Sequence, residues 1–187
     1  MYALSKYLKA AGRLNKDTLV VTGYSNIGLH KALAQLGIST DVVENGDKYV
    51  LESMLVNDFS LGGEQSGHII IKHDCNFGDG LKTALCLLNA LMYFDCDIDK
   101  ATEELKIYPQ LLVNVRVKDK NTVLSDSDIT AKIQEIRNTL GKDGQILVRK
   151  SGTEPLIRVM VEAENDELCH RYVYDIVDMI KDKGYAE

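Results

Sequence analysis

Residues 18–43 read TLVVTGYSNIGLHKALAQLGISTDVV, and the order of the apolar runs within them indicates the fold class. The β-branched and apolar run at 18–22 predicts a buried strand, and the run at 38–43 predicts a second one. Between the two strands, the pattern over 28–36 predicts a helix that ends at Gly37. A strand, a helix and a strand in this order form a βαβ unit, whose strands are parallel and whose crossover is right-handed. The sequence therefore predicts an α/β domain.

The segments around this unit extend the domain. Helices are predicted at 4–11, 49–56, 81–94 and 98–105, and apolar runs at 59–61 and 69–71 flank a glycine-rich turn. Helical and strand patterns that alternate along the chain are typical of a layered α/β domain. No capping residue precedes the first helix, so we expect that a segment upstream of it is missing.

The pattern changes after Pro109. Apolar and polar residues alternate over 111–117, which predicts a half-buried strand. An amphipathic helix is predicted at 127–140, followed by strands at 146–148 and 156–161 and by a closing helix at 166–181. Residues from about 110 onward are therefore expected to form a compact β-α-β-β-α unit.

Composition excludes several classes of protein. The chain has 187 residues and a formal net charge of −6, which argues against general binding to nucleic acid or to an anionic membrane. It contains no apolar run long enough to span a membrane and no signal-peptide core at its start. Its cysteines form no C-x-x-C pair, and its histidines have no metal-ligand spacing; the cysteines are Cys75, Cys86, Cys96 and Cys169. We expect reduced thiols in a cytoplasmic protein without a metal site of its own.

A polar loop at 149–158 has the composition of a phosphate site. It reads RKSGTEPLIR, so two arginines bracket hydroxyl groups and a glycine. Arg149 and Arg158 can each present a planar guanidinium to phosphate oxygens. Ser151 and Thr153 add hydroxyl donors, and Gly152 allows a close backbone approach or a positive φ. The alternative is a polar hairpin turn with both arginines in solvent, and the loop alone leaves the two interpretations even.

A second polar turn, GGEQSGH at 62–68, has groups that suit a sugar. A carboxylate, an amide, a hydroxyl and an imidazole on one turn can bind the hydroxyls of a sugar ring. The alternative is a hairpin whose polar side chains are solvated. Two smaller features remain open as well. Ser25 and Asn26 follow a strand end where ligands often bind, or one of them caps the next helix. Asp47 opens a helix and complements its dipole, or it takes part in the site.

Together these motifs resemble the α-D-phosphohexomutase superfamily. The turn at 63–68 and the loop at 149–162 occur in the order found in that superfamily, with supporting matches at 22–29, 46–50, 78–80 and 108–115. The resemblance covers essentially the whole chain. It implies the third and fourth of four domains, namely a three-layer α/β/α domain with a mixed sheet at 1–108 and a smaller α+β domain at 109–187, of the type of the TATA-box-binding protein.

The resemblance also implies binding residues. Glu64 and Ser66 resemble ligands of sugar hydroxyls, with His68 beside them and with Asp47 and Lys48 near the sugar. A second group resembles the phosphate-binding loop of the last domain: Arg149, Ser151, Gly152, Thr153 and Arg158. No catalytic residue is expected in this chain, because neither a phosphoserine loop nor an Asp-x-Asp-x-Asp metal loop occurs in the sequence.

Lys150 favours the glucosamine branch of the superfamily. The resemblance then implies an enzyme that interconverts glucosamine 6-phosphate and glucosamine 1-phosphate for amino-sugar nucleotide synthesis. Such an enzyme uses Mg²⁺, whose ligands are not in this chain, and glucosamine 1,6-bisphosphate as intermediate. We expect the chain to be the carboxy-terminal half, inactive without its amino-terminal half. The alternatives are a fragment of a phosphomannomutase or phosphoglucomutase, and a non-catalytic module that binds sugar phosphates.

Overall fold

A computed structural model describes residues 1–72 and 76–187 of the chain. Cys75, named above, lies outside the described part, as does His73, one of the histidines considered for a metal site. The chain divides into two compact units, Met1–Ile107 and Tyr108–Glu187. No helix in the described ranges is long and apolar enough to cross a membrane.

The first unit contains five α-helices, a short 3-10 helix (Asn15–Asp17) and four strands in its described part. The α-helices and strands are α1 (Tyr2–Ala10), β1 (Thr18–Thr22), α2 (Ile27–Gln35), β2 (Ser39–Val43), α3 (Asp47–Asn57), β3 (Leu61–Gly63), β4 (Ile69–Ile71), α4 (Gly80–Phe94) and α5 (Ile98–Thr102). The sheet has the order β2-β1-β3-β4. β1 is parallel to β2 and β3, whereas β4 is antiparallel to β3, so the sheet is mixed.

The two faces of this sheet pack against different helices. Leu19 and Val21 point to one face, where they meet apolar residues of α1 and α2. Val20 lies between them in the sequence, points to the other face and packs against Val50 and Met54 of α3. This alternation along β1 follows from the period of two in a strand. The result is the three-layer α/β/α arrangement with a mixed sheet that was predicted.

The second unit is smaller and has a separate sheet. Its elements are β5 (Gln110–Arg116), α6 (Lys120–Ser125), α7 (Ser127–Leu140), β6 (Gln145–Lys150), β7 (Leu156–Glu162) and α8 (Asp166–Asp182). The three strands form an antiparallel sheet in the order β5-β7-β6. Its core joins apolar residues of the strands to the inner faces of α7 and α8, including Ile129, Ile136, Val159 and Val173. This arrangement is the predicted α+β unit.

Several bounds differ from the prediction by one to three residues, the most at α5, which ends at Thr102 and not at 105, and two differences have a clear local cause. α3 begins at Asp47, two residues before the predicted start, because Gly46 has a φ of 135° and ends the extended segment before it. α6 was not predicted. The Asp119 side chain accepts a hydrogen bond from the Asn121 N–H and caps this helix. α6 is only six residues long, which is too short for a hydrophobic period to reveal it.

Candidate functional site

The candidate sugar site lies at one edge of the first sheet. β1 is parallel to both of its neighbours, β2 and β3. The carboxyl ends of these three strands, at Thr22, Val43 and Gly63, therefore lie at the same edge. The polar segments that follow these strands therefore leave the sheet on the same side. In open α/β sheets, this edge is where ligands usually bind.

The turn from Glu64 to His68 connects β3 to the antiparallel β4. The Glu64 N–H donates to the His68 carbonyl at 2.9 Å, and the Gly67 N–H donates to the Glu64 carbonyl at 3.0 Å. Gly67 has a φ of 95°, a backbone conformation that side-chain-bearing residues rarely adopt. The backbone thus fixes a tight turn, and the side chains of Glu64, Gln65, Ser66 and His68 project from it.

Two contacts join this turn to the segment that follows β2. The Gly46 N–H donates to Glu64 Oε1 at 3.0 Å. His68 Nδ1 lies 3.8 Å from Asp47 Oδ2, and both side chains remain partly exposed. The structure therefore brings Asp47, Glu64 and His68 together, although they come from separate turns of the chain. Asp47 also stands in the first turn of α3, where it complements the helix dipole, so both interpretations of this residue fit.

Ser66 and Lys48 lie in different surroundings. Ser66 and His68 line an open cavity of about 530 Å³ together with the residues at 78–80 and the first turns of α4. The Lys48 ammonium lies 4.5 Å from the centre of the Tyr49 ring, an arrangement that a cation–π attraction favours. In this structure, Lys48 is directed at Tyr49 and has no polar contact with Glu64.

Gly78 shapes the site in a way that was not predicted. A Cβ atom at this position would lie 2.0 Å from His68 Nε2 and 2.1 Å from its Cδ2, so only glycine leaves room for the imidazole where it lies. The Asp79 side chain then caps α4 by accepting from the Lys82 N–H at 3.0 Å. The residues GDG at 78–80 are typical of a turn followed by a helix start. The contact between Gly78 and His68 joins residues ten positions apart and could not be predicted without the three-dimensional structure.

The segment after β1 has the capping role. The Asn26 side chain accepts a hydrogen bond from the Gly28 N–H at 3.0 Å and caps α2. A Cβ atom at Gly28 would lie 1.7 Å from the Lys106 carbonyl oxygen, so the glycine permits a close backbone approach. Of the two interpretations of this segment, the structure favours the helix cap for Asn26.

The candidate phosphate site is the connection between β6 and β7 in the second unit. Arg149 and Arg158 are directly opposite each other in the antiparallel register. Arg158 Nε is buried and has no hydrogen-bond partner among the described residues, and Arg158 Nη2 lies 3.9 Å from Glu154 Oε2. Like charges opposite each other on neighbouring strands repel, and a buried N–H without an acceptor is costly. An anion at this position would relieve both costs.

The backbone of the loop is fixed by groups within the same unit. Ser151 is 4% exposed; its N–H donates to the Leu156 carbonyl, and its Oγ accepts from the Glu154 N–H at 3.3 Å. The Lys120 ammonium donates to the Ser151 carbonyl at 2.8 Å and to the Glu154 carbonyl at 3.0 Å. Lys120 was not predicted, because α6, on which it lies, was not predicted either.

Gly152 and Thr153 form the exposed tip of this loop. No atom lies within 4 Å of the position that a Cβ would take at Gly152. Its φ is outside the left-handed region, so of the two reasons suggested for a glycine here, positive φ does not apply. No contact in the described part of the chain requires a glycine here, and a close approach of a ligand to this backbone stays a prediction.

The part of the chain that the structure describes, residues 1–72 and 76–187, has no cluster of three or more His, Cys, Asp and Glu side chains that could bind a metal ion. Asp47, Glu64 and His68 of the candidate sugar site do not form such a cluster.

Comparison with known families agrees with the two units. Residues 1–108 match the model of the phosphoglucomutase/phosphomannomutase α/β/α domain III, and residues 112–179 match the model of the phosphoglucomutase/phosphomannomutase C-terminal domain. The chain therefore belongs to the phosphoglucomutase/phosphomannomutase family, also called the phosphohexomutases.

Within this family, the chain is similar to phosphoglucosamine mutases. The chain is 45% identical to the enzyme of Shouchella clausii over 183 residues, which is 98% of this chain and 41% of that protein. It is 46% identical to the enzyme of Bacillus cytotoxicus over 187 residues, which is 100% of this chain and 42% of that protein. The chain thus spans about two fifths of the length of these relatives and corresponds to their carboxy-terminal domains.

Solved structures support the fold. The Aspergillus fumigatus N-acetylphosphoglucosamine mutase in complex with GlcNAc-6P and magnesium matches with a TM-score of 0.79 and 19% identity, covering 98% of this chain and 42% of that one. A phosphoglucomutase/phosphomannomutase family protein from Burkholderia thailandensis matches with a TM-score of 0.75 and 22% identity, covering 99% of this chain and 42% of that one. At these identities the likeness concerns the fold alone.

Proposed function

We propose that this chain is the carboxy-terminal part of a phosphoglucosamine mutase, which interconverts glucosamine 6-phosphate and glucosamine 1-phosphate in the cytoplasm. The observation that carries this proposal is the pair of opposed arginines, Arg149 and Arg158, with a buried N–H that lacks an acceptor. This arrangement fits a bound dianion. The similarity to phosphoglucosamine mutases supports the choice of sugar.

The turn at 64–68 would bind the sugar ring. Ionised Glu64 accepts hydrogen bonds only, so it suits a pair of hydroxyl groups, and the Gly46 N–H orients it. His68 and Ser66 line the adjoining cavity and offer further polar contacts, with Asp47 beside His68. Lys48 would reach the ligand after leaving the Tyr49 ring. Polar groups on a tight turn bind a sugar at low cost, because the backbone already orders them.

The loop at 149–158 would bind the phosphate that does not react. Two guanidinium groups, the Ser151 and Thr153 hydroxyls and the open backbone at Gly152 can all donate to its oxygens. Each charge-assisted hydrogen bond contributes about 1.5–3 kcal/mol. Binding at this remote position orients the other end of the substrate for phosphoryl transfer.

The reacting groups would come from the amino-terminal domains of the intact enzyme. In the family, a phosphoserine donates its phosphoryl group to the sugar monophosphate, which here would give glucosamine 1,6-bisphosphate. The bisphosphate then reorients, and the serine takes back the phosphoryl group from the other position. Mg²⁺, when bound, neutralises charge on the transferred group. Because this chain matches domain III and the C-terminal domain of the family and its sequence contains no phosphoserine loop, we expect the isolated chain to bind the substrate but to lack mutase activity.

Calorimetry and an activity assay test this proposal together. Glucosamine 6-phosphate should bind the purified chain on the order of millimolar, or about −4 kcal/mol, and more tightly than either glucosamine or inorganic phosphate. A mutase assay with added glucose 1,6-bisphosphate and Mg²⁺ should give no activity above background. Turnover by the isolated chain would refute the division of roles, and equal affinity for inorganic phosphate would refute a sugar site.

The family models keep a second substrate class open. They are named for phosphoglucomutases and phosphomannomutases, whose substrates differ from glucosamine phosphates only in the sugar. Competition between glucosamine 6-phosphate, glucose 6-phosphate and mannose 6-phosphate separates these choices. Preference for the glucosamine compound supports the main proposal, whereas preference for either of the others assigns the chain to that branch.

A further inference from the structure

Helix α4 presents an apolar stripe to solvent. Four exposed side chains form this α4 stripe: Leu81 (74%), Leu85 (55%), Leu88 (57%) and Met92 (78%). Their spacing of four, three and four residues places them on one face of the helix. It is also the a/d spacing of helices that pack lengthwise against a partner, and it extends over about 16 Å at 1.5 Å per residue.

The helix around the stripe is almost without charge. α4 reads GLKTALCLLNALMYF, in which Lys82 is the single charged residue and Ala90 the single fully buried one. A helix on the surface of a soluble domain normally has a charged outer face. A continuous exposed apolar surface of this kind marks a contact with another polypeptide or a membrane.

The α4 stripe begins at the candidate sugar site. Gly80, Thr83 and Ala84, in the first turns of α4, line the same cavity as Ser66 and His68. Leu81, the first residue of the stripe, lies among them in the sequence. A polypeptide that covered the stripe would therefore also lie at the edge of the cavity.

This position suits the part of the enzyme that completes the site. The described residues offer groups for the sugar but no metal cluster, and more than half of the length of the related mutases lies outside the region matched by this chain. Groups that react with the sugar have to reach the cavity, and the domain that carries them has to rest on the surface beside it. We propose that the α4 stripe is the docking surface for the amino-terminal domains of the mutase, an inference that rests on the proposed function.

Co-expression tests the occupant directly. The chain would be produced together with the part of the Bacillus cytotoxicus phosphoglucosamine mutase that precedes the matched region, and complex formation would be measured by size-exclusion chromatography with light scattering. We expect a one-to-one complex that Leu85→Glu or Leu88→Glu weakens by at least about tenfold. The matched control is Val56→Glu on α3, a residue that is 78% exposed and lies on the helix at the opposite face of the sheet.

The outcomes separate this inference from the proposed function. Absence of a complex, or a complex that Leu88→Glu and Val56→Glu affect equally, overturns the docking surface. If the chain alone self-associates and Leu88→Glu abolishes this self-association, the stripe binds a second copy of the chain and the proposed docking surface is overturned. Circular dichroism verifies that each variant is folded. The variants should bind glucosamine 6-phosphate with the same affinity as the wild type. If the wild-type chain itself does not bind glucosamine 6-phosphate, the result counts against the proposed function and not against the docking surface.

Discussion

Arg149 and Arg158 face each other across β6 and β7, with the loop of candidate phosphate ligands between them. The pairing places two positive charges side by side, which is unfavourable in itself, and the Glu154 carboxylate lies 3.9 Å from Arg158 Nη2. Arg158 adds a buried Nε–H that has no acceptor in the described part of the chain. The buried Nε–H of Arg158 is therefore the feature that most directly motivates the proposed anion site.

Replacing Arg158 should weaken phosphate binding selectively. Arg158→Ala removes a guanidinium from the opposed pair and should reduce the affinity for glucosamine 6-phosphate by about 1.5–3 kcal/mol. Isothermal titration calorimetry measures the change. Arg116→Ala is the matched control, since Arg116 lies in the same sheet and forms an exposed pair with Glu187; it should bind as the wild type does. Unchanged affinity in Arg158→Ala would place the phosphate elsewhere.

Gly78 should be needed for the orientation of His68. In Gly78→Ala, the new Cβ would occupy the place of the imidazole, which then has to rotate away from Asp47. We expect weaker binding of glucosamine 6-phosphate and changed NMR signals of the His68 ring, with the fold intact. Gly80→Ala is the control, because a Cβ there meets no atom within 4 Å. If Gly78→Ala leaves both the affinity and the His68 signals unchanged, the imidazole has no part in the site.

Lys120 should act as a clamp on the phosphate loop. Lys120→Met removes the two hydrogen bonds to the Ser151 and Glu154 carbonyls but keeps an apolar side chain of similar length. Amide hydrogen exchange over 151–154 should become faster, and phosphate affinity should fall because the loop is less ordered before binding. The control is Lys118→Met, whose ammonium contacts the Gly184 carbonyl instead. Equal exchange rates in the two variants would show that the loop is ordered without Lys120.

The stability of the second unit should depend on pH through Asp126. Hydrogen bonds from the Ile129 N–H and the Tyr185 hydroxyl, together with Lys183, lower the pKa of this carboxyl group to about 2. The ordinary pKa of an unfolded Asp is about 3.9, so the stabilisation is present above about pH 4 and is lost as the pH falls toward 2.

Asp126→Asn tests this dependence, because asparagine still caps α7 but has no charge. Thermal unfolding should show the variant less stable than the wild type at pH 7, with the difference vanishing near pH 2. A difference that stays constant over this range would show that the charge of Asp126 does not stabilise the unit.

The sequence predicted the elements that have a strong period. The β1–α2–β2 unit and α7 carry long apolar patterns with clear glycine stops, and the structure agrees with them to within a residue or two. α6 was not predicted because six residues are too few to show a hydrophobic period. Sequence patterns thus predicted the long elements but not a short helix whose start depends on one capping side chain.

The contacts within the candidate sites could not be predicted from local patterns. The opposition of Arg149 and Arg158 depends on the register of β6 and β7, which the intervening turn sets. The contacts of Gly46 with Glu64 and of Gly78 with His68 depend on which strand ends share an edge. The residue types were readable in the sequence, whereas their distances required the fold.

A two-dimensional NMR titration of the isolated chain with glucosamine 6-phosphate would show whether both candidate loops bind the ligand. We expect saturable shifts in both candidate loops, at Glu64 and His68 and at Arg149 and Arg158. We also expect that Arg158→Ala reduces the shifts in the second loop. Shifts confined to residues outside 46–48, 62–68 and 149–158, or their absence at millimolar concentrations, would contradict these expectations.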